Sequence, residues 1–300
     1  MINRQVARIF PVLLLSVLSW GAVDQSLLDL APANSRILFG VNVPAALGSP
    51  LGQQIFKRVL ANNPAIDRYG ATLGYDPKRD LKELVFAASG SSSKLFHYDL
   101  IVARGSFRPD RFMTVANLAG AKTVKVNGKD IVTPPASALH TSFAFVDAST
   151  LLLGSPEILR AALSQPPGSS PATTKKALAA STANDAWFAT GTPVSQLLTT
   201  PRSPAFLPFL DLVRESAGGM KFHGAQSTLS VDATTRSDVD ALTIAGVLRT
   251  AAQSLHNPRT SELRNAQFTV TGATLHGTIN IMEADLERMF GGSTAVGKRR

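Results

Sequence analysis

Asn127-Gly128 lies between two short segments, Lys122–Val126 and Lys129–Thr133, that are rich in β-branched residues. Asn-Gly tolerates positive φ at both central positions of a two-residue turn, so the flanking segments must pair as an antiparallel hairpin. A second hairpin follows, with Ser142–Val146 facing Thr150–Leu153 across Asp147-Ala148-Ser149. A third sets Gln267–Thr271 against Thr274–Ile281 around Gly272. Strands joined by turns this tight run antiparallel, because a parallel pair needs a long crossover.

Further strand signals are Arg36–Val43, Leu84–Ser89, Asp99–Phe107, Ala186–Thr190 and one or two strands within Met220–Val231. Helices are announced by their starts. Ser49-Pro50 precedes Leu51, Ile55, Phe56, Val59 and Leu60, which share one helical face. Arg108-Pro109 precedes Phe112, Met113, Val115, Ala116 and Ala119, and Ser155-Pro156 precedes Ile158, Leu159, Ala162 and Leu163. Ser237-Asp238-Val239-Asp240 reads as a capping box opening the strongest helix, with Ala241, Leu242, Ala245, Leu248, Ala252 and Leu255 at a 3.6-residue period. Short helices are also expected over Pro193–Leu198, from Ser203-Pro204 towards Arg214, and through Met282, Leu286, Met289 and Phe290.

Each half reads strand, helix, strands, helix, hairpin, helix. The expectation is an α+β fold of two similar halves, each an antiparallel sheet with helices packed on one face. The halves are residues 23–163 and 185–290, joined by a linker at 164–184 that opens on a run rich in Pro, Ser and Thr. Residues 291–300 form a disordered basic tail, and 1–22 stand apart.

Those first residues carry Arg4 and Arg8, then the apolar run Ile9–Leu18, then Ser19-Trp20-Gly21-Ala22 before the first acid, Asp24. Basic, apolar and small in that order is a secretory signal peptide, cut after Gly21 or Ala22. The run falls short of the ~20 residues that span a bilayer. A periplasmic or extracellular protein without a membrane span after cleavage is therefore expected. The chain has no cysteine, which excludes disulfides, thiol catalysis, thiolate metal sites and a lipid-modified cysteine. Its formal charge of +9 attracts anionic partners, yet the basic residues are scattered. The densest groups are Lys78-Arg79 with Lys82, Lys175-Lys176 and Lys298-Arg299-Arg300. A nucleic-acid reader would show a basic stripe with interleaved aromatics, so nucleic acid is not an expected partner.

Candidate chemistry is sparse. Ser91-Ser92-Ser93-Lys94 fits the S-x-x-K spacing that sets a lysine amine beside a serine nucleophile. Ser91, however, lies in a Gly-Ser loop between strands. Lys122-Thr123 continues with Val124, and Ser237-Asp238 with Val239, so neither companion motif is complete. The histidines His97, His140, His223, His256 and His276 show no zinc spacing. Asp238 with Asp240, and Glu283, Asp285 and Glu287, sit where acids complement a helix start. Asp76 and Asp80 belong to a loop leading into a strand. Gly218-Gly219 lacks the context of a phosphate-binding loop. Ser49, Ser155 and Ser203 are read as helix caps. Trp187, Phe188, Phe206, Phe209 and Leu210 are read as core rather than a ligand groove. No cofactor and no metal is implied.

The segment Leu38–Pro50, the run Tyr75-Asp76-Pro77-Lys78-Arg79-Asp80-Leu81-Lys82-Glu83-Leu84-Val85 (with the pattern G-x-D-P-x-x-D-L) and Phe145–Leu163 (F-x-D-x-x-T-L-x-L-G-x-P-E-x-L-R-A-A-L) resemble a type of uncharacterised exported bacterial α+β protein. The resemblance implies an architecture and carries no known activity or site residue. The function expected is a non-catalytic binding or scaffolding role in the bacterial cell envelope, with an envelope protein or an anionic polymer as partner. The rival is an envelope hydrolase using Ser91 and Lys94 or a pair of carboxylates.

Overall fold

The structure, a computed structural model, describes residues 22–62, 70, 72–90, 98–135, 141–166, 168–193, 196, 209, 211–254, 263–282 and 285. Its strands are β1 (Ile37–Asn42), β2 (Leu81–Ala88), β3 (Leu100–Gly105), β4 (Lys122–Val126), β5 (Lys129–Thr133), β6 (Ser142–Asp147), β7 (Thr150–Gly154), β8 (Ala186–Thr190), β9 (Val213–His223), β10 (Gln226–Thr235), β11 (Gln267–Thr271) and β12 (Thr274–Met282). The helices among the described residues are α1 (Gln25–Leu28), α2 (Val43–Leu47), α3 (Pro50–Asn62), α4 (Pro77–Asp80), α5 (Pro109–Leu118), α6 (Pro156–Ser164), α7 (Thr174–Ala183) and α8 (Asp238–Gln253).

The strands form one 12-stranded sheet in the order β11-β12-β10-β9-β8-β1-β2-β3-β7-β6-β5-β4. Every neighbouring pair is antiparallel. The fold is α+β, and the two similar halves are visible in the order. A meander β1-β2-β3, helix α5 and hairpins ending on β7 build one side. A meander β8-β9-β10, helix α8 and the hairpin β11-β12 build the other. In each half the last strand returns beside the third. The first strands of the halves, β1 and β8, meet at the centre, where Phe39 faces Phe188 and Gly40 faces Trp187.

That central pairing depends on a glycine. Trp187 is 2% exposed, and a Cβ on Gly40 would lie 2.2 Å from its ring. The indole thus fills the space that a side chain on β1 would need.

Alternation along the strands separates two cores. Val102, Ile131, Ala144 and Leu152 belong to one cluster, with Leu27 and Leu28 of α1, Leu159 of α6 and Ala177 of α7. Their chain neighbours Ala103, Val132, Phe143 and Leu151 point the other way, into a cluster with Val43 of α2 and Ala116 of α5. Adjacent strand residues face opposite sides of a sheet. The helices therefore divide between both faces, rather than covering one, because both faces of the strands are apolar.

Several starts act as their residues dictate. Asn127 (φ 48°) and Gly128 (φ 78°) make the expected turn. Ser49 Oγ accepts from Gly52 N–H at 2.9 Å, and Ser155 caps α6. Ser237 Oγ accepts from Asp240 N–H at 3.1 Å.

Other details differ from expectation. The stretch 164–184 holds α7 in its second part, with Ala177 and Ala180 buried. Its first part is tied down by the Gln165 amide, which donates to the carbonyls of Asp29 and Ala31 at 3.1 Å. Small side chains pack that helix closely, which an apolar-period search does not register. On α8, Ile244 and Ala245 are buried while Leu242 is 57% exposed, and on α3 Ile55 is 52% exposed. The expected helices over Pro193–Leu198, from Ser203, and from Met282 lie largely outside the described residues, as do the tail 291–300 and residues 1–21.

Candidate functional site

The register of β2 on β3 pairs Leu81 with Gly105, and this sets the end of α4 beside the start of α5. The Asp80 carbonyl accepts from Ser106 N–H at 2.8 Å. A Cβ on Gly105 would lie 2.5 Å from that carbonyl, so glycine permits the approach. Asp76 caps α4, with Oδ1 accepting from Lys78 N–H at 3.0 Å, and Pro77 occupies the first turn.

The Asp80 carboxylate closes this corner. Arg79 donates to it through two nitrogens, each at 2.7 Å, and Asp76 N–H donates to it at 2.8 Å. The Arg79 guanidinium and then the Asp76 N–H hold Asp80 well below the usual carboxylate range, at about 2. The Tyr75 phenol moves the other way, raised by burial and then by the charges of Asp80 and Asp76.

Between α4 and the turn into α5 opens a cavity of about 360 Å³. Tyr75, Arg79, Asp80, Ser106 and Arg108 give its polar wall, and Leu73, Gly74 and Phe107 the rest. The lining is mostly polar, and its aromatic members belong to a ring cluster. Tyr75 stacks on Phe107 at 5.5 Å, and both rings contact Phe112 edge-on. Arg111 is not part of the lining but stands next to it, its Nη1 lying 2.6 Å from where a Gly74 Cβ would stand. Arg108 occupies the N-cap of α5 without a side-chain capping bond. Gly74 to Leu81, the run that carries the resemblance, builds one side of this cavity.

A second polar cluster lies at the start of α1. Arg104 Nη2 is 2.9 Å from Asp24 Oδ2 and donates to Ser26 Oγ at 3.0 Å. Glu83 pairs with Arg104 across β2 and β3. Burial raises its carboxyl to about 7, with Arg104 opposing and Asp24 reinforcing the shift. The Asp24 carboxyl is lowered by its bonds to Ser26. Residues 24, 83 and 104 are too far apart in sequence for any spacing rule to join them.

The sequence candidates fare unevenly. Ser91 and Lys94 lie outside the described residues, with His97, His140, His256, Ser203, Phe206, Leu210, Glu283 and Glu287. His223 ends β9, and His276 Nδ1 sits 2.8 Å from Asp232 Oδ1. Asp238 and Asp240 occupy the first turn of α8. Gly218 and Gly219 lie within β9, where a Cβ on Gly219 would be 2.2 Å from the Ala186 carbonyl. Phe209 packs into the α8 core. No group of three His, Cys, Asp or Glu able to hold a metal occurs among the described residues. No described helix is long and apolar enough to cross a membrane.

No protein-family model and no curated protein matches the chain. Solved structures of TP0453 do match its fold. Crystal form III has a TM-score of 0.52 at 12% identity, covering 88% of this chain and 96% of that one. Form IV gives 0.52 at 11%, covering 86% and 94%, and form I gives 0.50 at 12%, covering 89% and 96%. The likeness spans both halves, so the long antiparallel sheet with its helices is an arrangement TP0453 shares.

Proposed function

We propose that the chain is an exported, non-catalytic binding or scaffolding protein of the bacterial cell envelope, and that it binds through the cavity between α4 and α5. The observation that carries this reading is the commitment of the Asp80 carboxylate in the cavity wall, which accepts two bonds from Arg79 and one from Asp76 N–H. A general base works best with a pKa near the working pH. Asp80 is held at about 2 and the Tyr75 phenol is raised above its ordinary value, so neither is poised to take a proton from Ser106 at neutral pH. What the wall offers instead is fixed hydrogen-bond donors and cationic charge. Export is supported by the basic, apolar and small order of residues 1–22.

The rival, an envelope hydrolase with paired carboxylates, draws on Asp24 and Glu83, whose environments push them apart as in an acid–base pair. Both acids are engaged with Arg104, which favours a structural role. Native mass spectrometry of the chain recovered from the exported fraction of its own cells decides between the readings. A retained ligand or protein partner of unchanged mass is expected. Cleaved envelope material accumulating with wild type, and not with Glu83→Gln, would establish the hydrolase.

A further inference from the structure

We infer that the cavity recognises a small organic anion, a compact molecule carrying one carboxylate or phosphate group. The inference rests on the binding role just proposed and names its ligand class.

Two arginines, Arg79 and Arg108, line the cavity, a third, Arg111, stands beside Gly74 at its edge, and they are not equivalent. Arg79 is consumed by Asp80 in a two-nitrogen ion pair. The guanidinium groups of Arg108 and Arg111 make no ion pair or hydrogen bond among the described residues. Asp80, the carboxylate in the wall, is already answered by Arg79 and by Asp76 N–H, so it leaves the two other arginines unneutralised. Arginine presents a planar fork of donors that matches a carboxylate or phosphate oxygen pair. Gly74 takes a positive φ of 64°, and its missing side chain leaves room for the Arg111 guanidinium. The Tyr75 hydroxyl stays protonated and can donate. Tyr75 and Phe107 give a small aromatic contact beside a mostly polar lining. At about 360 Å³ the site is at the small end of ligand cavities, too small for a folded polymer segment and large enough for a small acid.

The test titrates the chain with four probes of similar size and different charge: benzoate, phenyl phosphate, benzyl alcohol and benzylamine. Amide shifts of Gly74, Ser106 and Arg108 are followed by NMR. Benzoate or phenyl phosphate should move these amides, and the stronger of the two identifies the carboxylate or phosphate source. Benzylamine should not move them, and benzyl alcohol should bind at least tenfold more weakly than the better anion. Arg108→Met and Arg111→Met should each weaken that anion about tenfold with thermal midpoints unchanged, since both side chains are exposed. Asp80→Asn should tighten it severalfold by removing the negative charge and releasing Arg79, an increase that a general loss of structure cannot produce. Benzyl alcohol binding as well as benzoate, or arginine variants that bind anions unchanged, would overturn the anion assignment and leave the binding role standing. Silence of all three amides towards all four probes would remove both.

Discussion

Helices α5 and α8 hold equivalent places, each following the third strand of a meander, yet they begin differently. At α8, Ser237 sits in extended backbone (ψ 164°), its hydroxyl accepts from Asp240 N–H, and Asp238 and Asp240 complement the helix dipole. That corner is satisfied by its own residues. At α5 the capping place is held by Arg108, with ψ at 81° and no side-chain bond. Arginine carries no acceptor with which to cap, and Arg108 lines the cavity instead. The same topological joint is thus closed by local chemistry in one half and left open in the other. The difference follows from α4, which the β1–β2 connection brings against the α5 joint. Where a fold repeats, the copy that forgoes its cap is the one to search for a ligand.

The two halves share one sheet, and the seam between β1 and β8 is where it breaks most easily. Trp187→Ala should cost ~3–5 kcal/mol, the usual range for emptying a buried aromatic site. Gly40→Ala should cost ~1–3 kcal/mol by driving a methyl into the indole. Combined with Trp187→Leu, Gly40→Ala should cost less than the sum of the two single changes, because the added carbon enters vacated space. Urea unfolding measures all of these. Additive losses would mean that the two residues do not share that space.

A second expectation concerns only the first half. The Glu83 carboxyl is raised to about 7, so the folded state holds this proton more tightly than the unfolded chain does. Its contribution to stability is complete below the ordinary glutamate range and is lost as pH rises through about 7. Going from pH 4.5 to pH 8 should cost on the order of 2 kcal/mol from this group. Glu83→Gln should flatten the urea midpoint across that window. Asp80 works oppositely: its contribution is present above the ordinary aspartate range and disappears only as pH falls through about 2. An unaltered pH profile in Glu83→Gln would show that the carboxyl titrates normally.

Sequence made some of this legible and hid the rest for physical reasons. The Asn127-Gly128 hairpin could be read residue by residue because a local φ requirement determines it. The helix starts at Ser49, Ser155 and Ser237 were legible because a cap is a contact within three residues. Helix α4 was hidden, since Pro77-Lys78-Arg79-Asp80 has no apolar residue to show a period, and α7 packs through alanine. The cavity was hidden in another way. Asp76, Asp80 and the Lys78-Arg79 pair were all visible as charges. Their meeting with Ser106 and Arg108 depends on the register of Leu81 on Gly105, which no local pattern encodes.

Smaller effects test the two helix starts directly. Ser237→Ala should destabilise by ~1 kcal/mol, the usual loss of a serine cap, and leave any ligand bound at the α5 corner untouched. A fall in ligand affinity there would mean that the two corners communicate through the sheet.

Arg108→Ser is the sharper counterpart and has the smallest expected effect on stability. Serine caps a helix from extended backbone, as at Ser155 (ψ 157°) and Ser237 (ψ 164°), whereas residue 108 sits at ψ 81°. The hydroxyl would therefore be poorly aimed, and a gain of only ~0.3 kcal/mol is expected, below the normal worth of a cap. Anion binding should nonetheless fall about tenfold, through loss of the guanidinium. A gain near 1 kcal/mol would carry a different lesson. It would mean that the backbone relaxes to extended once the arginine is gone, and that Arg108 itself holds the corner open at the expense of stability, the trade expected where a binding group displaces a structural one.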